Sequence, residues 1–233
     1  MTDATLFGVG TVLAAGAVAH GALYRNSPLF GRALGRLPGA ERAVALTFDD
    51  GPNPETTPRV LDALRDAGVH ATFFLLGRHV DRWPDLARRA ADEGHELGNH
   101  GWAHRKLHLR TPSYVRRDLA EGTAAVERAT GRSPRFFRAP HGFRSPWVNP
   151  VAASLGQRVV GWTLGVWDSD RPGAGEIARR AVTGTRAGTI LLLHDGDGYD
   201  PAGDRTQTAA ALPQIIAGLR DRGFAFVTLG DVA

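Results

Sequence analysis

The chain has no cysteine, a single methionine and a single lysine, Lys106. The first absence excludes disulfides and any thiolate metal site, so an ion in this protein can be held only by nitrogen and oxygen ligands. It leaves the redox compartment open. With one lysine, nearly all of the positive charge behind the net +4 is arginine. Those arginines are scattered, and pairs such as Arg88-Arg89, Arg116-Arg117 and Arg179-Arg180 fit solvated helix faces. A concentrated basic patch interleaved with aromatics is missing, which argues against a nucleic-acid partner and leaves contact with an anionic polymer or membrane surface open.

Charge is also missing between Ala4 and Tyr24, a run rich in Ala, Val, Leu and Gly. About 20 such residues span a bilayer core as a helix. The basic region that opens a cleavable signal peptide is lacking, since Asp3 is the only charged side chain ahead of the run. An uncleaved membrane anchor with its linker is therefore expected over residues 1–35, with the rest of the chain membrane-anchored or exported at the cell envelope. An Ala/Gly-rich soluble helix packed on the domain is the alternative. Arg25 and Arg32 follow the run, and the positive-inside rule would keep the domain on the cytoplasmic side. A wall-directed enzyme needs the other side, so orientation stays open.

The 233 residues, 42% apolar, suffice for one sizeable domain, expected over 40–233 after the linker Leu37-Pro38-Gly39. Apolar, strand-like runs recur at Val44–Phe48, Ala71–Leu76, His95–Asn99, Phe136–Arg138, Arg158–Leu164, Thr189–His194 and Phe224–Leu229. Helix-like spacing separates them, marked by Val60, Leu61 and Leu64, by Val115, Leu119, Gly122 and Val126, and by Ala211, Leu212, Ile215, Ile216 and Leu219. Thr111-Pro112 supplies an N-cap and first-turn proline, and Gly68, Gly94, Gly131, Gly156 and Gly223 stand where helices should stop. Such alternation implies an α/β fold with a parallel sheet, closed or nearly closed into a barrel, whose working residues lie at the C-terminal strand ends.

Polar residues do gather there. Asp49-Asp50 ends the first run, and two carboxylates that close need a cation or a shared proton, although Asp-Asp-Gly-Pro is also good turn chemistry. His100 and His104, four residues apart, suit one face of a helical turn gripping a metal, or two surface histidines. Arg138 ends a later run and is by itself compatible with a structural ion pair. His194 ends another and is by itself compatible with a satisfied core histidine.

Together, Thr-Phe-Asp-Asp-Gly, His-x-x-x-His, Arg-x-Pro, a later aspartate and Leu-x-Leu-His-Asp resemble the polysaccharide deacetylases with a NodB-like domain, carbohydrate esterase family 4, from about Ala43 to the C-terminus. The resemblance implies a distorted (β/α)7 barrel, and a divalent metal, zinc first and cobalt or another ion next, on Asp50, His100 and His104. It implies removal of N-acetyl groups from amino sugars of a chitin-like or peptidoglycan-like glycan. Asp49 becomes the base acting on a metal-activated water, held by Arg138, and His194 the acid, oriented by Asp170. The metal and a backbone N–H near His141, after Pro140, would hold the oxyanion, and Leu192 would floor the acetyl pocket. Alternatives are a deformylase or deacylase of a lipid-linked amino sugar, and an inactive carbohydrate-binding relative, which the presence of all five central residues disfavours.

Some positions depart from the pattern. Gly101 stands where a hydroxyl usually steadies the metal loop, and His141 replaces a tyrosine-like residue. Arg171 replaces the usual tryptophan after the aspartate, so the aromatic wall falls to Trp167 or Trp162. An arginine there suggests an anionic substrate. Asp168 is the alternative partner for His194.

Overall fold

The structure, a computed structural model, describes residues 3–39 and 42–232, and the side chains of 13–39 and 42–232. The chain opens with α1 (Asp3–Leu23) and then builds β1 (Ala43–Asp49), α2 (Thr57–Ala67), β2 (Thr72–Leu75), α3 (Gly77–Arg82), α4 (Pro84–Asp92) and β3 (Glu96–Asn99). It continues through α5 (Pro112–Thr130), β4 (Phe136–Phe137), α6 (Val148–Ser154), β5 (Arg158–Val159), β6 (Leu164–Gly165), α7 (Ala174–Gly184), β7 (Thr189–His194), α8 (Thr206–Asp221) and β8 (Ala225–Phe226).

All strand pairings are parallel, in the order β5-β4-β3-β2-β1-β7-β6, with β8 on the start of β1. The sheet curls into an incomplete barrel, as the expected (β/α) architecture requires. Its seam lies between β5 and β6, which the sequence suggests as one strand, Arg158–Leu164. Gly161 and Trp162 interrupt that run, and the chain crosses from one side of the seam to the other. β1 is central because its apolar run is buried on both faces, Val44 to Phe48 being fully enclosed, as a strand covered by helices must be.

The helix periodicity holds in detail. Val60, Leu61 and Leu64 of α2 and Leu212, Ile215, Ile216 and Leu219 of α8 all face one core with Leu46 and Phe48. Burying each such side chain contributes about 1.5–3 kcal/mol. The Thr111 hydroxyl caps α5 by accepting the Tyr114 N–H at 3.3 Å, and the five expected stop glycines all have positive φ.

The expected anchor begins in residues 1 and 2 and in the side chains of 3–12, outside the described residues. Residues 13–20 of α1 are all exposed. Among the described residues no helix is long and apolar enough to cross a membrane. Residues 40, 41 and 233, at the start and end of the domain expected over 40–233, also lie outside the description. Leu37, expected in a linker, is buried, and its N–H donates to Gly188 O at 2.9 Å.

Candidate active site

The C-terminal ends of β1, β3, β4 and β7 meet around one cleft of about 210 Å³. Asp49, Asp50, His100, His104, His141, Trp162, Ser169, His194, Asp197, Gly198, Tyr199 and Arg205 line it. Strand register places the first pair of groups: Asp49 and His194 are Cα partners across β1 and β7, so their side chains leave the sheet on the same side.

Asp50, the next residue, has φ 74. This left-handed backbone turns its carboxylate away from that of Asp49 and towards the histidines. Its Oδ1 lies 3.1 Å from His104 Nε2 and 3.3 Å from His100 Nε2. The three residues form one buried group whose ligand atoms all lie within 4.8 Å of one another. His100 and His104 were expected on a helical turn. They occupy a loop instead, bent by Gly101 at φ 81 and His104 at φ 53, and the bends bring both rings to Asp50.

The donor chemistry of this group fits a cation. His100 donates its Nδ1–H to the Arg138 carbonyl at 2.8 Å, which leaves the Nε2 lone pair facing Asp50. Burial pushes His104 down to about 3, which favours its neutral form, whereas Asp49 and Asp50 raise His100 against the effect of burial. Burial opposes ionisation of Asp50, but positive charge at the two imidazole positions holds it well below the usual carboxylate range, a charge that ring protons or a shared cation can supply. Asp50 Oδ1 has no hydrogen-bond partner although it is buried. Two lone pairs converging on an anionic oxygen repel unless a cation lies between them.

Asp49 stays apart from this group. Arg138, fully buried, donates from Nη1 to Asp49 Oδ1 at 2.6 Å and to Thr47 Oγ1 at 2.9 Å, and from Nη2 to Gly161 O at 3.0 Å. Its guanidinium carbon is 4.0 Å from the centroid of the Phe74 ring. Removing one partner of such a buried pair typically costs ~3–5 kcal/mol. The other oxygen, Oδ2, remains 3.8 Å from His100 Nε2, beside the ligand group.

His194 is oriented by Asp168 and not by Asp170. Asp168 Oδ1 receives the ring Nδ1–H at 2.9 Å, Oδ2 receives the His194 backbone N–H at 2.8 Å, and the Thr208 hydroxyl also donates to Oδ2 at 2.8 Å. Asp168 is buried and Asp170 exposed. The turn between them is flanked by left-handed Trp167 (φ 57) and Arg171 (φ 56), so the first aspartate points inward and the second outward. Burial alone would lower the His194 pKa, but Asp168 raises it to about 9.

The substrate-side expectations are corrected in the same region. Trp167 is 68% exposed and lies outside the cleft, whereas Trp162 lines it. Arg171 is exposed and is not among the lining residues, so it provides no anion contact in the cleft. Leu192 is buried beside Gly165, its Cα partner across β6 and β7, and is not among the lining residues. Pro140 is buried, and His141, at φ 59, reaches across the cleft so that Nε2 and the Tyr199 hydroxyl lie 2.8 Å apart. Both rings pack against His104, at 4.6 and 5.2 Å between centroids.

Gly101 has a positive reason to lack a side chain. A Cβ there would strike the Asp118 carboxylate. Asp118 instead accepts the Ala103 N–H at 3.3 Å, and Asn99 Oδ1 accepts the Gly101 N–H at 2.8 Å. These side chains steady the loop in place of a hydroxyl.

Several contributors carry no signal in the spacing. Tyr199, Asp197 and Arg205 come from the loop after β7. Asp195 is buried under Gly51, accepts the Thr57 hydroxyl at 2.6 Å, and is pushed by burial up to about 7. Its position next to His194 was the one available clue.

Residues 36–160 match the family model described as polysaccharide deacetylase. The peptidoglycan-N-acetylglucosamine deacetylase of Bacillus cereus is 36% identical over 201 residues, covering 84% of this chain and 90% of the relative. A chitooligosaccharide deacetylase of Bradyrhizobium is 39% identical over 208 residues, covering 84% and 94%. A crystal structure of a peptidoglycan N-acetylglucosamine deacetylase with a bound N-hydroxybenzamide superposes with a TM-score of 0.80 at 31% identity, covering 86% of this chain and 92% of that one.

Proposed function

The chain belongs to the polysaccharide deacetylase family, and from that premise we propose that it removes N-acetyl groups from the amino sugars of a chitin-like or peptidoglycan-like glycan, with Asp49 as base and His194 as acid. One observation carries the reading: a buried Asp-His-His group with converging ligand atoms lies between a carboxylate held by Arg138 and an imidazole held by Asp168.

Asp50, His100 and His104 would hold a divalent ion. The two-nitrogen, one-oxygen set suits zinc, and cobalt or another divalent ion fits the same donors. When bound, such an ion lowers the pKa of a coordinated water towards about 7 and polarises the acetyl carbonyl. Asp49 then takes the proton of the attacking water. Its Oδ1 is occupied by Arg138, so Oδ2 is the oxygen that receives it. His194, protonated at neutral pH because Asp168 raises it to about 9, gives its proton to the departing amine, and this acid step is worth roughly 10²–10⁴ in rate. The backbone N–H at His141 completes the support of the oxyanion, and Trp162 forms the aromatic wall for the sugar.

Metal analysis of the purified protein, followed by acetate and formate assays on glycans and lipid-linked amino sugars, tests this. One divalent ion per chain and acetate release from N-acetylglucosamine oligomers are expected. A protein that binds zinc and releases no acyl group from any substrate would overturn the assignment. The exposed apolar residues of α1 favour a second substrate class, a lipid-linked amino sugar, and also support attachment at the cell envelope. Formate release confined to lipid-linked substrates, together with membrane fractionation, separates that reading from the first.

A further inference from the structure

We propose that residues 24–37, between α1 and β1, form a strap that positions the catalytic wall, with Arg25 and Asn26 as positioning residues for the hydrolysis. The inference rests on the deacetylase reading above. Residues 24–35 precede the part of the chain that matches the family model.

The strap enters the open seam of the barrel. Leu34 donates its N–H to Val159 O at 2.9 Å and accepts the Gly161 N–H at 3.0 Å, which makes it a short parallel partner of β5. On the other side of the seam, the Thr163 hydroxyl donates to Gly35 O at 2.6 Å, and Leu37 N–H to Gly188 O at 2.9 Å. The segment that crosses the seam, Gly161 to Thr163, is thus held along the strap.

Arg25 and Asn26 act on the residue that lines the cleft. Arg25 Nε donates to the Trp162 carbonyl at 2.9 Å and Asn26 Nδ2 to the same oxygen at 3.0 Å. The Arg25 guanidinium carbon lies 5.1 Å from the Trp162 ring centroid. A Cβ on Gly142 would sit 2.8 Å from both Arg25 Cβ and the Trp162 ring, so the Arg25 stem is wedged between the His141 turn and the tryptophan. One residue back, Gly161 gives its N–H to the strap and its carbonyl to Arg138, whose other nitrogen holds Asp49. Strap, Gly161, Arg138 and base form one hydrogen-bonded series.

Other contacts keep the strap in place without these two side chains. Leu34 and Leu37 are buried, and Arg144 donates to the Gly31 carbonyl at 2.9 Å and to the Ser27 carbonyl. Changing Arg25 or Asn26 therefore loosens Trp162 without releasing the segment.

The experiment compares the full-length wild type with Arg25→Ala, Arg25→Lys and Asn26→Ala, measuring kcat, KM, bound metal and melting temperature. Displacement of positioned groups by about 1 Å is costly to rate. A fall in kcat of about ten-fold is expected for Arg25→Ala, with full metal content and an unchanged melting temperature. Arg25→Lys should recover part of it, because an ammonium keeps the charge near the ring and one donor to the carbonyl. Wild-type kcat and KM in Arg25→Ala and Asn26→Ala would overturn the proposal, as would losses that only track unfolding or metal loss. A wild type without any amidase activity would instead sink the functional reading on which it rests.

Discussion

Asp168 grips His194 at two points, the ring Nδ1–H at 2.9 Å and the backbone N–H at 2.8 Å. A carboxylate that holds both the ring and the chain carrying it leaves the imidazole no rotation, so Nε2 is the atom presented to the cleft. The same contact sets tautomer, direction and charge.

Replacing Asp168 by Asn should therefore do more than weaken activity. The basic limb of the kcat/KM profile, expected near 9 in the wild type, should move towards the ordinary histidine value, with a loss of roughly 10²–10⁴ in kcat. Asp170→Asn should leave both unchanged. A pH–rate series on the two variants checks the assignment, and the reverse pattern would restore Asp170.

The same group links stability to pH. The folded value of about 9 lies above the ordinary 6.5, so protonated His194 stabilises the fold fully below about pH 6.5, and that contribution disappears as pH rises through 9. Thermal melts across this window should show a decline that Asp168→Asn flattens. A melting temperature independent of pH there would contradict it.

Asp49→Asn keeps the ligand group intact and should lower kcat by at least ~10², with metal content unchanged. His104→Gln should instead lose the metal first, and chelation of the wild type should abolish activity reversibly on re-adding zinc or cobalt. Elemental analysis alongside turnover separates the two. An active Asp49→Asn protein would remove Asp49 as base.

Gly101→Ser places a side chain against the Asp118 carboxylate on a backbone with φ 81. A loss of ~1–3 kcal/mol in stability and weaker metal binding are expected, measured by denaturant melts and metal titration. A stabilised Ser variant would show that the loop accepts the hydroxyl after all.

Tyr199→Phe removes the hydroxyl that meets His141 across the cleft. A few-fold rise in KM for oligosaccharides with kcat retained is the expected outcome in steady-state kinetics, because the pair packs beside His104 and neither side chain hydrogen-bonds Asp49 or His194. A matched fall in kcat would place the pair in the chemistry.

The Asp-His-His group and the neighbouring Asp49 were legible because they lie at or just after the ends of apolar strand-like runs, and strand ends in this fold converge. Asp168 and Trp162 were harder. Whether Asp168 or Asp170 faces inward depends on left-handed backbone at Trp167 and Arg171, which spacing does not encode. Trp162 lines the cleft only because the run Arg158–Leu164 breaks at the seam, and Gly161 was the one sign of a break in that run. The histidine loop shows the converse: both rings do converge on Asp50, but the expected helical turn is absent, since two positive-φ bends achieve the same convergence.

The pairing of Asp49 with His194 across β1 and β7 has a further bearing. The proposed proton acceptor and proton donor are neighbours in a hydrogen-bond ladder, about 4.8 Å apart at the backbone, and their separation is inherited from the sheet. The loops after β4 and β7, which bring His141, Tyr199 and Arg205, stand outside that ladder. Their length and side chains can drift towards a new sugar while the spacing between Asp49 and His194 stays constant.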